Sequence, residues 1–161
     1  MSNQDLILKN GVIVNCELNN ESRQDVRISR ATGQVIEVGS NLSGGDILDC
    51  NGLHILPGWI DLRAQFNDPG KASRESILNG AKAAAHGGLT AVATRADTTP
   101  PVDNIASVSY VLQQSAMADG ARVYPTGAIT KKTEGKELAE IGRMTQAGAV
   151  GFTDGERTLQ S

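Results

Sequence analysis

Between Leu6 and Leu56 the apolar residues come in short runs set apart by turn-forming residues. Leu6-Ile7-Leu8 and Val12-Ile13-Val14 flank Asn10-Gly11, a pair that favours the tight turn of a β-hairpin. Val26 and Ile28 alternate with Arg27 and Ser29, and Thr32-Gly33 turns the chain into Val35-Ile36-Glu37-Val38-Gly39. Gly44-Gly45 precedes Ile47-Leu48-Asp49-Cys50, and Asn51-Gly52 precedes Leu53-His54-Ile55-Leu56. Short runs at this spacing predict a small all-β unit over residues 1–56.

From Gly58 onward the period changes. Ser73 to His86 carries Ile77, Leu78, Ala81, Ala84 and Ala85 on one helical face, with Ser73 placed to cap its start and Gly87-Gly88 to end it. Leu89 to Thr94 is β-branched and apolar, Asp103 to Met117 is helical in spacing, and Ala121 to Thr126 is again a strand. Lys136 to Ala147 repeats the helical period on Leu138, Ile141 and Met144, and Gly148 to Thr153 follows as a strand. Strands alternating with helices predict an α/β unit with a parallel sheet over residues 57–161.

The stretch joining the two patterns is the most informative. Pro57 to Gly70 reads as a buried strand, with apolar Trp59, Ile60 and Leu62, running into a loop that ends in Pro69-Gly70. Alternation puts Asp61, Arg63 and Gln65 on one face and Ile60, Leu62 and Ala64 on the other. Three polar groups together at the end of an apolar strand suit a site better than a solvent face.

These residues resemble the first barrel strand of the amidohydrolase superfamily, and within it the long-chain dihydroorotases, which read P-G-x-x-D-x-H-x-H-x-R-E-P-G there. The frame of Pro57-Gly58, Asp61 and Pro69-Gly70 is intact. In that family the two histidines bind zinc and the arginine holds the substrate carboxylate; Arg63, Gln65 and Asn67 stand in their places. Two further segments carry the likeness: Gly127-Ala128-Ile129-Thr130-Lys131 with Glu134 to Glu140, and Ala147 to Gly155, which is similar to the family's A-G-A-V-A-F-S-D-D-G. Asp154 matches the aspartate that serves the metals there. Arg95-Ala96-Asp97-Thr98 stands where the family has M-P-N-T, whose asparagine touches substrate. The resemblance implies a partial TIM (β/α)-type amidohydrolase barrel of four strands and three helices, preceded by a small β-sandwich portion. The 161 residues fall short of the roughly 250 that a complete (β/α)8 barrel takes.

A net charge of −3 and the absence of a Lys/Arg cluster argue against a nucleic-acid partner, and 3% aromatic residues leave little for base stacking. No run approaches the ~18 apolar residues of a membrane span, and the first residues lack a signal-peptide pattern, so a cytoplasmic location is expected. Cys16 and Cys50 have no metal-type spacing and read as reduced thiols. Gly87-Gly88 follows a helix instead of opening one, and Gly148 to Gly151 lacks the Lys-Ser/Thr of a phosphate loop. His54 and His86 fall on no ligand position of the family.

On this basis no zinc and no catalytic residue is expected. Arg63, Gln65 and Asp154 are remnant metal positions, and Asn67 and Asp97 a remnant substrate site. A carboxylate cluster without its dication needs another cation. Arg63 and Arg95 can supply it, with Arg63 expected to reach Asp154 or, alternatively, Asp97. The resemblance extends to the non-catalytic homologues that hold aspartate transcarbamoylase in a large assembly, which implies that enzyme's catalytic chain as partner and a homo- or hetero-oligomer. Two other readings are an active amidohydrolase acting on a cyclic amide and a piece of a longer protein.

Overall fold

A computed structural model describes residues 4–159 and divides the chain into two compact units, one up to Pro57 and one from Gly58. Among the described residues no helix is long and apolar enough to cross a membrane.

The first unit holds β1 (Leu6–Lys9), β2 (Val12–Asn15), β3 (Asn20–Arg23), β4 (Asp25–Ile28), β5 (Val35–Gly39), β6 (Asp46–Asp49) and β7 (His54–Ile55). They form two sheets, ordered β5-β4-β1-β6 and β3-β2-β7. The expected hairpin across Asn10-Gly11 is therefore corrected: β1 pairs with β4 and β6, whereas β2 pairs with β3 and β7. Asn10 does take the left-handed conformation that made the pair a turn signal, with φ 64°. Its polar groups look elsewhere, however. The backbone N–H donates to Asp25 Oδ1 at 2.9 Å and the side-chain amide to Asp49 Oδ1 at 3.0 Å. Gly11 then passes so close to Ile55 that a Cβ there would lie 2.4 Å from its Cδ1. Asn10-Gly11 thus marks a corner at which the chain changes sheets.

Buried Asp25 holds this corner, taking the Asn10 N–H on one oxygen and the Leu42 N–H on the other at 3.0 Å. The Asn10 hydrogen bond keeps its carboxyl below the ordinary aspartate range, against the opposing pull of burial.

The second unit runs β8 (Trp59–Ala64), α1 (Ile77–His86), β9 (Leu89–Thr94), α2 (Ile105–Met117), β10 (Arg122–Gly127), a 3-10 turn (Lys131–Thr133), α3 (Ile141–Ala147) and β11 (Gly151–Phe152). The sheet order is β11-β10-β9-β8 and each pairing is parallel, the half-barrel arrangement expected. Its core lies between sheet and helices: Ile77 and Ala81 of α1, Val108 and Val111 of α2, and Met144 of α3 pack with Val92 and Val123 of the strands.

Helix ends followed the periodicity better than helix starts did. α1 begins at Ile77, not Ser73, because Ser76 is the residue whose hydroxyl takes the Asn79 N–H, at 3.2 Å. The Ile77 N–H goes to buried Asp68 at 3.1 Å. α3 begins at Ile141, not Lys136, since the residues before it form an excursion of their own. Lys131 N–H donates to the Glu137 carbonyl and Ala139 N–H to the Ile129 carbonyl, and Leu138, expected in the core, is 68% exposed.

The expectation of a buried strand at 59–62 is also corrected. Among the described residues β8 has a neighbour on one side only, and Trp59, Ile60 and Leu62 are exposed, Leu62 to 80%. Only Ala64, followed by Phe66, reaches the core.

Phe66 in turn sets a requirement on α1. An added Cβ at Gly80 would lie 2.3 Å from the Phe66 ring, so the helix approaches that ring only because position 80 has no side chain. Helix propensity favours alanine over glycine by about 1 kcal/mol. The clash should outweigh it. Gly80→Ala is expected to destabilise the protein by about 1–3 kcal/mol in urea unfolding, as overpacking does.

Candidate functional site

The loops after β8 and β9 meet at the carboxyl end of the parallel sheet, where open α/β sheets place their ligands. The first loop is fixed by Asp68, whose carboxylate takes the Ile77 N–H on one oxygen and the Tyr110 hydroxyl on the other at 2.7 Å. That bond, helped by burial, pushes the Tyr110 phenol above its ordinary range. Gly70, at φ 109°, packs against the second loop so closely that a Cβ would lie 1.5 Å from the Thr99 carbonyl oxygen. No side chain can replace it there.

Between these loops lies a cleft of about 200 Å³ that brings together Gln65, Asn67, Arg95 and Asp97 with Lys71 and Arg74. Arg95 grips Asp97 with two prongs, Nε to Oδ1 at 2.8 Å and Nη2 to Oδ2, and a third nitrogen, Nη1, reaches Glu156 Oε1 at 3.4 Å. The Arg95 and Asp97 side chains are 12% and 25% exposed. The guanidinium hydrogen bond holds the Asp97 carboxyl below the usual aspartate range and raises Arg95 in return. Gly155, at φ 73°, leaves room for the pair, because a Cβ there would lie 2.7 Å from Asp97 Oδ2.

Arg63 is not where it was expected. The β8–β9 register shifts between Asp61 and Ala64, and Asp61 Oδ1 turns back to accept the Arg63 N–H at 2.8 Å. The predicted common face is thereby split: Gln65 enters the cleft, Arg63 lines an adjoining hollow with Leu62, and Asp61 lies toward α1 and Val92. Arg63 is exposed, and its carboxylate is Glu156, at 3.7 Å, instead of Asp154 or Asp97. The expected Arg63–Asp154 pair is thus corrected. Asp154, 3% exposed, accepts the N–H groups of Ile129 at 2.8 Å and Thr130 at 2.9 Å and the Thr130 hydroxyl. Three local donors satisfy the acid where a distant guanidinium was expected. Asp97 does receive an arginine, but it is Arg95.

The donor set bears directly on zinc, the metal of the family that the strand motif resembles. A guanidinium has no lone pair to give, Gln65 offers only a neutral amide, and Asp154 already accepts two N–H groups on Oδ1 and the Thr130 hydroxyl on Oδ2. Among the described residues no group of three His, Cys, Asp or Glu is placed to hold a metal ion. His54 and His86 lie on β7 and at the end of α1. The residues present do not fit the metal.

Sequence reasoning missed Lys71, Arg74, Glu156 and Asp68. The first two lie beyond the Pro69-Gly70 turn, and nothing in their spacing signals that the loop folds back on Asp97. Asp68 lies well ahead of the Ser76 cap, so no helix-start pattern marks it as the partner of the Ile77 N–H.

A family model described as dihydro-orotase-like matches residues 52–161. The dihydroorotase of Aquifex aeolicus is 37% identical over 149 residues, covering 92% of this chain and 35% of the relative. That of Syntrophotalea carbinolica is 39% identical over 151 residues, with 92% and 35% covered. The chain therefore spans about a third of the length of these curated relatives. Among solved structures, an L-hydantoinase (dihydropyrimidinase) from Arthrobacter aurescens superposes with a TM-score of 0.74 at 23% identity, covering 92% of this chain and 32% of that one. A dihydroorotase does so with a TM-score of 0.60 at 17% identity, covering 92% and 42%. At these identities the structural likeness establishes the amidohydrolase barrel fold.

The Arg95–Asp97 grip has a stability signature. Removing the guanidinium strands a half-buried carboxylate, so Arg95→Ala should cost roughly 1–3 kcal/mol at neutral pH, between the values of exposed and fully buried pairs. The folded-state pKa of Asp97 is depressed, so its contribution is present above the unfolded value of about 3.9 and is lost as pH falls through the folded value. Urea unfolding at pH 7 and pH 3 checks this. Asp97→Asn should be less stable than the parent at pH 7, and the gap should narrow at pH 3.

Proposed function

The chain belongs to the dihydro-orotase-like family, and from that premise we propose that it is a non-catalytic member whose role is structural, in support of aspartate transcarbamoylase. The family is that of a pyrimidine-biosynthesis enzyme. What carries the proposal is the donor set at the mouth, where Arg63 and Gln65 hold two zinc-ligand positions and Arg95 is locked onto Asp97. A catalytic zinc takes three protein ligands and an open position for water, and its charge is what activates that water. A fixed guanidinium repels a dication at close range. No hydrolytic step is derived through such a centre.

Asn67 and Asp97 stand at the family's substrate-contact positions, and their chemistry is altered in the same direction. Asn67 has no charge to offer a substrate carboxylate, and Asp97 presents a negative one already committed to Arg95. The partner is proposed by analogy, from the resemblance of the altered strand motif to homologues that assemble with aspartate transcarbamoylase. The exposed Trp59, Ile60 and Leu62 on one-sided β8 are consistent with a chain that associates.

Three measurements test the proposal. Purified protein should contain far less than one zinc per chain by elemental analysis and should turn over no dihydroorotate. Arg63→His with Gln65→His should not restore turnover, because among the described residues nothing else is placed beside them to complete the ligand set and supply a general base. Mixed with the catalytic chain of aspartate transcarbamoylase, the protein should co-sediment as a defined complex. Chelator-sensitive turnover by the unaltered protein would establish instead an active amidohydrolase on a cyclic amide.

A further inference from the structure

We infer that the cleft between the β8 and β9 loops binds a small phosphate-bearing anion through Lys71 and Arg74. The inference concerns what the cleft holds and is independent of whether the protein catalyses anything. In a chain of net charge −3, this cleft is lined by three cations, Lys71, Arg74 and Arg95, and by one carboxylate, Asp97. Arg95 and Asp97 neutralise each other. Among the described residues no carboxylate pairs with Lys71 or Arg74. Two unbalanced positive charges in a concave site focus the local field toward anions.

The uncharged lining points the same way. The side-chain amides of Gln65 and Asn67 make no hydrogen bond within the described residues, which leaves their N–H groups available to an acceptor. The segment carrying the cations is already folded for the task. Asn67 carbonyl accepts the Lys71 N–H at 2.6 Å, and Lys71 carbonyl accepts the Arg74 N–H at 2.9 Å. Asp68 pins the loop to α1 and α2, and Gly70 seats it against Thr99. Little ordering cost therefore remains for a ligand to meet at the backbone.

Charge and size choose the anion. A phosphate monoester or inorganic phosphate carries close to two negative charges and its acceptor oxygens on a single centre, matching two cations within about 200 Å³. A dicarboxylate spreads the same charge over a longer molecule, and a monocarboxylate leaves one cation unanswered.

Isothermal titration of the protein with inorganic phosphate tests the site, and it is blind to turnover, so its failure is separable from that of the proposed function. Saturable binding that weakens with added salt is expected. Lys71→Gln combined with Arg74→Gln should lower the affinity at least about tenfold. Both side chains are exposed, and an unchanged circular dichroism spectrum shows that the variant has folded. Lys71→Arg should retain binding, and Lys82→Gln, exposed on α1 outside the cleft, should leave it unchanged. The inference is overturned if phosphate binding does not saturate or survives loss of both cations. An equal loss in Lys82→Gln, or succinate binding as tightly as phosphate, would also overturn it.

Discussion

The carboxylate of Asp154 accepts the backbone N–H groups of Ile129 and Thr130 and the Thr130 hydroxyl, and the far side of the mouth is built on those bonds. A buried acid without a cation is tolerable only when local donors replace water. Three do so here. Because the Thr130 hydroxyl donates to Asp154, its oxygen is free to accept the Gly135 N–H at 2.9 Å, which closes the turn that follows β10. Lys132 enters that turn at φ 54° and gives its N–H to Asp103 ahead of α2. One satisfied carboxylate thereby orders the excursion, and the excursion delays α3 to Ile141.

Asp25 and Asp68 apply the same solution elsewhere, one at the corner between sheets and the other at the start of α1. Among the described residues no buried side-chain nitrogen or oxygen lacks a hydrogen-bond partner. The consequence for the mouth is electrostatic. Asp154 is satisfied by two backbone amides and the Thr130 hydroxyl, and Asp68 by the Ile77 N–H and the Tyr110 hydroxyl, so both buried acids of the second unit have local donors. Arg95 then answers the more accessible Asp97 and reaches Glu156, which also lies near Arg63. Arg63 and Arg95 share Glu156 at this end of the sheet, and a guanidinium has no lone pair with which to coordinate a metal.

Much of this architecture was legible in the chain, and its failures have physical causes. Leu89–Thr94 matched its pattern to the residue, and the ends at His86, Met117 and Ala147 were marked by glycine or by loss of period. Helix starts were misread at Ser73 and Lys136, since a run of helix-compatible residues does not reveal which of them spend their N–H groups on tertiary partners. Asn10-Gly11 failed as a hairpin signal for a related reason. Its backbone preference is local and was correct, while the choice of strand partner lies with Asp25 and Asp49, distant in sequence. At the site, Asn67 and Asp97 do share a cleft, but alternation along β8 was broken by Asp61 bonding back to Arg63 N–H, which no two-residue period can foresee.

The broken alternation also explains how one strand serves two kinds of surface. Before the shift, Trp59 and Ile60 present exposed apolar area on a strand that, among the described residues, is paired on one side only. After it, Ala64 and Phe66 turn into the core against Gly80. Gln65 and Asn67 turn into the polar cleft. Asp61 separates these regimes by capping the backbone at Arg63, so the aspartate that the family frame retains has a structural use here that requires no metal. Gly70 and Gly155 complement it, since each holds a backbone position where a side chain would meet the Thr99 carbonyl or the Asp97 carboxylate.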